Sequence, residues 1–527
     1  MKKVFYLVAA SMLMTSCLKD RAIEAYNEEF VSVFGETDPL HTWKMVDEKS
    51  VEVNVDKPSR VKIYVLVDNT YRLAADYENV SGTRTLAFDA PMGCEDIHVT
   101  VDGIPYQGGS SRAESQNTGI SLTNDFEYFT YKQISDFHDD GTTLPETDDN
   151  TGKLRGLNYK VVSNGQPYRF YPIYWGGIFF HGYGLYYYKG NERIEVPFIE
   201  NHKAEGLIQR VKGDGTNAWV DVTDDYAYEY FFPESGSAPE YDDEVVVLGS
   251  RCFTINLPAG TQFGFYVDIT QKSTENPESE NYRGRFYSDP ELNASNAFSA
   301  FGYLQKDGNT YITVEDYNDN DYNDFIFVLE GTPAPVDEDP VKYMYAVEDL
   351  GSENDFDFND IVFSVSHISG HENAIVQPLA AGGIYPATIY FGDKSYGEIH
   401  SKFGVKTNVM VNTKAGTTKN SMIKADPFLV KVPAEWSHTA YGESGNGFSV
   451  KVEIPNRKDK VVTTYVPGED IAPQMLVLSE NWLWPTEKTR ISDAYNDAYN
   501  GFGEWGANYK NQTWVNSPNS SLVVNWR

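Results

Sequence analysis

The chain has 527 residues and a formal net charge of −34, with 77 acidic side chains against 43 basic ones. That balance argues against nucleic acid as a partner, which needs a basic footprint, and against electrostatic attraction to anionic lipid. Three cysteines are too few for a structural disulfide framework, whereas 37 tyrosines and 29 phenylalanines supply core and strand-forming material for about three or four domains.

Met1-Lys2-Lys3 is basic and Val4 to Met14 is mostly apolar but too short to stay as a membrane-spanning helix, which needs about 20 residues. Residues 1–17 therefore read as an export signal ending in Met14-Thr15-Ser16-Cys17. This resembles a bacterial lipoprotein processing site, with Cys17 as the lipidated residue and an anchor in an outer membrane or at the cell surface. The alternative is an ordinary secretion signal in which Cys17 is incidental. Cys94 and Cys252 remain as buried thiols in different domains.

Residues 20–41 hold a short helix and spacer: Ile23, Tyr26, Phe30 and Phe34 recur at helical spacing, which predicts a helix over Asp20–Phe34 docked against the first domain. Beyond Thr42 the texture changes to period-two alternation. Val51–Val55, Val61–Val65 and Ile97–Val101 read as half-buried strands, giving a small β-sandwich over 42–115. Residues 116–158 are polar and turn-rich, an acidic loop or linker. Residues 159–331 return to strands crowded with aromatic side chains, among them Tyr168–Trp175 and Gly184–Tyr188, which suit the two faces of a sandwich core. Thr332–Pro340 carries three prolines and marks a boundary; a last strand-rich unit follows over 341–527. The fold class is mainly β: a multi-domain string of β-sandwich or jelly-roll-like units with a short N-terminal helix.

An acidic phrase occurs twice. Val314-Glu315-Asp316 leads to Asp321-Tyr322-Asn323-Asp324-Phe325, and Val347-Glu348-Asp349 leads to Asp357-Phe358-Asn359-Asp360-Ile361. Asp319, Asp321 and Asn323 alternate, as do Asp355, Asp357 and Asn359; an extended chain would put each trio on one face, and a tight loop would fold Asp324 or Asp360 back to join it. Oxygen donors of this density suit calcium, which takes six to eight oxygens. With no cysteine or clustered histidine the set fits zinc poorly, and neither copy has EF-hand spacing. The metal-ligating candidates are Glu315, Asp316, Asp319, Asp321, Asn323 and Asp324 in one site, and Glu348, Asp349, Asp355, Asp357, Asn359 and Asp360 in the other. The competing reading is that Asp and Asn merely populate turns, but so many converging carboxylates repel one another unless protonated or metal-bound.

Leu257-Pro258-Ala259-Gly260-Thr261, Phe286-Tyr287-Ser288-Asp289-Pro290-Glu291-Leu292-Asn293 and Asp321-Tyr322-Asn323-Asp324 together resemble a widespread uncharacterised β-rich domain of bacterial exported proteins. Val347-Glu348-Asp349-Leu350, Asp355–Asp360, Glu398-Ile399-His400 with Phe403-Gly404, and Trp484-Pro485-Thr486-Glu487 with Ile491–Tyr495 resemble the C-terminal part of LruC-domain surface lipoproteins of the Bacteroides group. The resemblance implies a location and calcium, and no settled activity.

No nucleophile elbow, paired-histidine motif or phosphate loop is present, so the chain reads as non-enzymatic: a calcium-binding cell-surface lipoprotein serving adhesion or structure. The alternatives are a glycan-binding protein or a glycoside hydrolase acting on extracellular polysaccharide, whose two acids could come from distant strands. Trp482, Trp484, Trp505 and Trp514, in a Gly/Asn/Tyr-rich tail, are candidate aromatics for an extracellular glycan or protein ligand; burial in the last domain's core is the other reading.

Overall fold

The computed structural model describes residues 24–106, 125–131, 155–156, 159–175, 180–199, 208–211, 220–221, 246–273, 276–294, 300–306, 308–316, 324–349, 355–441, 446–455, 460–463, 472–492 and 498–526. Cys17, with the rest of residues 1–23, and Asp319, Asp321 and Asn323 lie outside these residues. The chain gathers into two compact units. One, the C-terminal unit, takes Met1–Val65, Leu73–Asp96 and Asp339–Arg527; the other, the central unit, takes Leu66–Arg72 and Ile97–Glu338. Residues 42–115, expected as a sandwich of their own, contribute to both. The reason is the length of their strands, β1 (Val46–Val67) and β2 (Thr70–Pro91). They are joined through Asp68 and Asn69, both at positive φ, as a two-residue hairpin turn requires.

The central unit is two facing sheets. Its strands are β3 (Lys160–Val162), β4 (Tyr168–Trp175), β5 (Phe180–Lys189), β6 (Glu192–Ile199), β7 (Val246–Ile255), β8 (Gln262–Ser273), β9 (Asn276–Tyr287), β10 (Phe301–Lys306), β11 (Asn309–Val314) and β12 (Phe325–Glu330). One sheet runs β6-β5-β8-β3 with β9 also paired to β8; the other runs β7-β4-β12-β11-β10. Period-two alternation turns Phe263, Phe265, Val267 and Ile269 of β8 inward, where they meet the opposite layer. Phe265 lies 5.4 Å from both Phe170 and Phe327, and Tyr183 stacks on Phe325 at 4.2 Å. The aromatic crowding read from the sequence is thus core packing, worth about 1.5–3 kcal/mol per buried side chain of this size.

The central unit ends within β13 (Ala334–Pro340), where the three prolines had marked a boundary and where Ala334 and Pro335 pair with Val162 and Val161 of β3; beyond it come β14 (Lys342–Val347), β15 (Ile361–His367), β16 (Asn373–Ala380), β17 (Ala387–Phe391), β18 (Lys394–Glu398), β19 (Phe428–Lys431), β20 (Phe448–Val452), β21 (Lys460–Val462) and β22 (Met475–Ser479). The C-terminal unit holds a five-stranded sheet, β19-β16-β15-β14-β22, and a four-stranded one, β18-β17-β20-β21. Tyr345 and Phe363 on the first meet Phe448 on the second at 5.4 and 6.0 Å. The five-stranded sheet buries its other face too. Met344, Ala346, Val362, Leu476 and Leu478 there join an aromatic cluster with Tyr26, Phe30, Trp43, Phe502 and the tail tryptophans.

Residues 24–34 form α1, the predicted helix. It seats on this cluster, not on a separate first domain. Tyr26 and Phe30 are buried, Tyr26 donates its hydroxyl to the Pro473 carbonyl at 2.7 Å, and Asn27 Oδ1 accepts the Ala472 N–H at 2.9 Å.

Candidate metal centre

The second acidic phrase is the connection of the β14–β15 hairpin. Val347 and Ile361 form its closing pair, so Glu348 follows the last paired residue of one strand and Asp360 precedes the first of the other. The Asp349 N–H donates to Asp360 Oδ2 at 2.7 Å and holds the neck of the loop closed.

Asp355–Asn359 is not the extended run that would place alternate side chains on one face by pleating. Phe356 and Phe358 stand at φ 51° and 52°, in the left-handed region that costs a non-glycine residue about 1–2 kcal/mol. Burial offsets this, since a phenylalanine side chain removed from water contributes about 1.5–3 kcal/mol. Both rings are fully buried. Phe356 lies 5.2, 5.6 and 5.5 Å from Tyr26, Phe30 and Phe34, and Phe358 lies 6.1 Å from Phe502. The two rings anchor the backbone, and the acids that alternate with them, Asp355 and Asp357, are left to converge.

Glu348, Asp355 and Asp357 each offer a carboxylate oxygen, all within 4.8 Å of one another. Asp357 is oriented from both sides: Oδ1 accepts the Asn359 N–H at 3.0 Å and Oδ2 the Lys488 N–H at 3.1 Å. Glu348 Oε2 accepts the Phe358 N–H at 3.3 Å. Asn359 is fully buried and its Nδ2 donates to the Pro485 carbonyl at 3.0 Å, which turns Oδ1 the other way. That Oδ1 has no hydrogen-bond partner, a costly condition for a buried acceptor.

A glycine pair forms one wall. The Gly382 N–H donates to the carbonyls of Asn359 and Asp360 at 3.1 and 3.0 Å. A Cβ on Gly382 would fall on Asn359 Oδ1 and stand 3.2 Å from Glu487 Oε2; one on Gly383 would lie 2.7 Å from Asp349 Oδ2 and 3.3 Å from Asp360 Oδ1. Only a residue without a side chain lets this backbone approach the acids so closely. Gly383 is in turn tied down by His400, whose Nε2 lies 2.9 Å from its carbonyl and whose Nδ1 lies 2.6 Å from Glu398 Oε1. Glu398 also caps the short helix α2 (Ile399–Lys402) by accepting the Ser401 N–H at 2.8 Å.

Burial pushes the carboxyl of Glu348 well above the usual range, and Asp360, Asp357, Asp355 and Asp349 push it further. Asp357 is raised by burial, then by Asp355 and Glu487; Asp360 by burial, then by Asp349 and Asp357. Anions gathered out of water and against one another are relieved by protons or by a cation. The donors fit a hard dication: they are all oxygens, they include one buried amide oxygen in need of a partner, and the glycine wall leaves room that a side chain would fill. Glu487, Gly382 and Gly383 were not among the sequence candidates. A Gly-Gly pair beyond an apolar strand, and an acid inside the Trp484–Glu487 segment, were the only signals.

The first phrase is built the same way on β11–β12, with Val314 and Phe325 as closing pair. The Asp324 carboxylate accepts the Asp316 N–H, the Asp324 N–H reaches the Val314 carbonyl at 3.1 Å, and the Glu315 N–H reaches the Ala300 carbonyl at 3.0 Å. Glu315 and Asp316 are buried. The Tyr183 phenol is pushed up by burial, then by Asp316 and Asp324 beside it.

Trp482, Trp484, Trp505 and Trp514 are all buried in the aromatic cluster, so burial is the one of the two sequence readings that the fold adopts; none of the four presents its ring at the surface. Cys94 and Cys252 are thiols and not disulfide-bonded, the former half-buried and the latter buried.

A family model described as Domain of unknown function (DUF4114) matches residues 257–332, the span that carries the first phrase. No curated protein matches the chain. Among solved structures, the crystal structure of a lectin from Pleurotus ostreatus in complex with GalNAc aligns over 68% of this chain and 95% of its own, at 9% identity and a TM-score of 0.07, a likeness too low to carry weight.

Proposed function

We propose that this chain is a calcium-binding surface lipoprotein, anchored through Cys17, in which the ion orders the two acidic hairpins of a non-enzymatic adhesion or structural module. The observation that carries the reading is the convergence of the Glu348, Asp355 and Asp357 carboxylates in a loop whose Asn359, bonded through its N–H to Asp357, also carries a buried, unpartnered Oδ1 at the Gly382 wall. Asp349, Asp360 and Glu487 stand at the rim of the same cradle, and backbone carbonyls and water would complete six to eight oxygens. Calcium is preferred to magnesium because several carboxylates from separated chain segments make a protein cage of oxygens, whereas magnesium is usually held by one or two carboxylates and keeps most of its water. What the ion supplies is charge neutralisation. The residues themselves do the rest: Phe356 and Phe358 fix the loop on the core, Asp357 is held by two N–H donors, and Gly382 and Gly383 close the wall.

The test is thermal unfolding of the full chain in EDTA and across a calcium titration, with magnesium in parallel. A ligand that binds only the folded state raises stability by RT ln(1 + [L]/Kd), about 2.7 kcal/mol at a hundredfold excess over Kd. Calcium is expected to raise the melting temperature in a saturable way at lower concentration than magnesium. A melting temperature indifferent to calcium at millimolar concentration defeats the reading. Labelling with radioactive fatty acid, lost on Cys17→Ser, tests the anchor separately.

A further inference from the structure

Hydrogen bonds lace the acidic loop of the second hairpin to a distant stretch of chain, residues 485–491. The Ile491 N–H donates to the Phe356 carbonyl at 2.9 Å, the Lys488 N–H to Asp357 Oδ2 at 3.1 Å, and Asn359 Nδ2 to the Pro485 carbonyl at 3.0 Å. Lys488 stands at φ 61°, a left-handed conformation that a side chain disfavours. The turn it makes brings Glu487 to the cradle. The Glu487 N–H is fixed on the Thr413 carbonyl at 2.8 Å, and its Oε2 stands 3.2 Å from the point that a Cβ on Gly382 would occupy. Asn359 Oδ1 reaches that same point.

A carboxylate oxygen and an amide oxygen therefore flank one spot on the glycine wall. Asn359 is fully buried and its Oδ1 is without a hydrogen-bond partner. An ionised carboxylate has no proton to offer that oxygen, whereas a cation between the two serves both. The hairpin also needs a donor from outside itself. Glu348, Asp355 and Asp357 bring three carboxylates together, calcium takes six to eight oxygens, and the charge of the ligand set tunes its affinity. Glu487 adds a charged oxygen donor from a segment that the loop already holds.

We propose that Glu487 is a calcium ligand contributed by the C-terminal segment, so that the ion joins residues 485–491 to the acidic loop of the second hairpin. The proposal rests on the calcium reading above and adds to it that binding and the seating of this segment are one event. Without the ion, Glu487 and Asp357 repel one another across the hydrogen bonds between loop and segment, and the segment opens more readily than the sheets that carry it.

The experiment uses the full chain with calcium chloride as the probe. Isothermal titration compares wild type with Glu348→Gln, which marks the binding that belongs to the second hairpin, and with Glu487→Gln. The second variant is expected to weaken that same binding tenfold or more and to melt in EDTA no lower than wild type. Glu372→Gln controls for the loss of one charge: this exposed acid pairs with Lys431 between β15 and β16, at their far end from the cradle, and its removal should leave the affinity unchanged. Hydrogen exchange supplies the second readout. Calcium is expected to slow exchange over residues 485–491 at least tenfold more than over β20, and Glu487→Gln should abolish that difference. Calcium binding that Glu348→Gln weakens and Glu487→Gln does not overturns this proposal and leaves the calcium reading standing; no calcium binding by wild type defeats both. A melting temperature lowered equally in EDTA and in calcium by Glu487→Gln would make Glu487 a structural residue, and would overturn the proposal as well.

Discussion

Asp349 donates its backbone N–H to the side chain of Asp360 across eleven residues, and Asp316 does the same to Asp324 across eight. One architecture therefore underlies both acidic phrases: a β-hairpin whose last paired residue is valine, whose next two residues are Glu-Asp, and whose returning strand is preceded by an aspartate that clips the neck. Loops of different length fit on the same clip because closure is made at the neck. Lengthening a loop of this size costs only tenths of a kcal/mol in closure entropy.

Glu348→Gln is expected to act in opposite directions with and without calcium. In EDTA the variant removes a buried charge repelled by Asp360, Asp357 and Asp355, while Gln keeps an acceptor for the Phe358 N–H. Stability should rise by about 1 kcal/mol or more. With calcium the same change deletes a ligand and weakens binding at least tenfold. Melting curves under the two conditions read both effects; a variant less stable in EDTA as well would mean that Glu348 is a structural acceptor and not a suppressed charge.

His400 positions the wall of the cradle without touching the acids. Its ring bridges Glu398 and the Gly383 carbonyl, and groups that orient a metal site from behind commonly carry 10–100-fold in affinity. His400→Ala should cost about 2–4 kcal/mol through the cavity and the lost hydrogen bonds, and should lower calcium affinity about tenfold. Isothermal titration of calcium into His400→Gln, which can keep one of the two hydrogen bonds, should fall between wild type and His400→Ala. Equal affinity in all three would show the clamp to be irrelevant to the centre.

Much of the hairpin was legible before the fold was known, because its signals are local. Val-Glu-Asp followed by an acidic turn and an apolar run announces a strand, a loop and a returning strand. The left-handed turns at Phe356 and Phe358 were not legible. They are set by distant partners, Tyr26, Phe30 and Phe502, that make the apolar side more favourable than the pleat. Gly382 and Glu487 come to the loop from elsewhere in the chain, and neither has a spacing to betray it. The tail tryptophans carry both meanings in sequence, and only the five-stranded sheet's second apolar face makes burial the outcome. Residues 42–115 hid their allegiance for a similar reason: period two reveals a strand and one buried face, and is silent on which sheet receives it.

Phe356→Ala tests the anchoring of the metal loop on the core. The ring fills space among Tyr26, Phe30 and Phe34, so its loss should cost about 3–5 kcal/mol, and it also removes the counterweight to the left-handed backbone at that residue. Phe356→Gly loses the same ring but relieves the backbone. It should be the more stable of the two if the φ of 51° is retained. Urea unfolding of both variants in EDTA decides this; Ala more stable than Gly would show that the loop abandons its conformation once the ring is gone.

A buried pair beside the β2 strand predicts a pH dependence of its own. Lys44 Nζ donates to the Thr439 and Ala440 carbonyls, both at 2.7 Å, while Asp89 accepts from Ser437 Oγ at 2.5 Å and the His438 N–H at 2.8 Å. Burial raises the Asp89 carboxyl to about 6 and lowers the Lys44 ammonium to about 7. Between the unfolded value near 4 and the folded value, native Asp89 holds a proton that the unfolded chain has released. Its contribution to stability is therefore full below about pH 4 and declines until about pH 6, by about 3 kcal/mol. Lys44 has the opposite sign, since above about pH 7 the unfolded chain holds a proton the native state has lost, and stability recovers as pH rises toward 10. Asp89→Asn keeps an acceptor for the His438 N–H and cannot ionise. The stability of this variant relative to wild type should climb steadily from pH 4 to pH 6 in urea titrations followed by tryptophan fluorescence. A difference that stays flat over that interval would place Asp89 at an ordinary carboxyl value and remove the buried charge from the account.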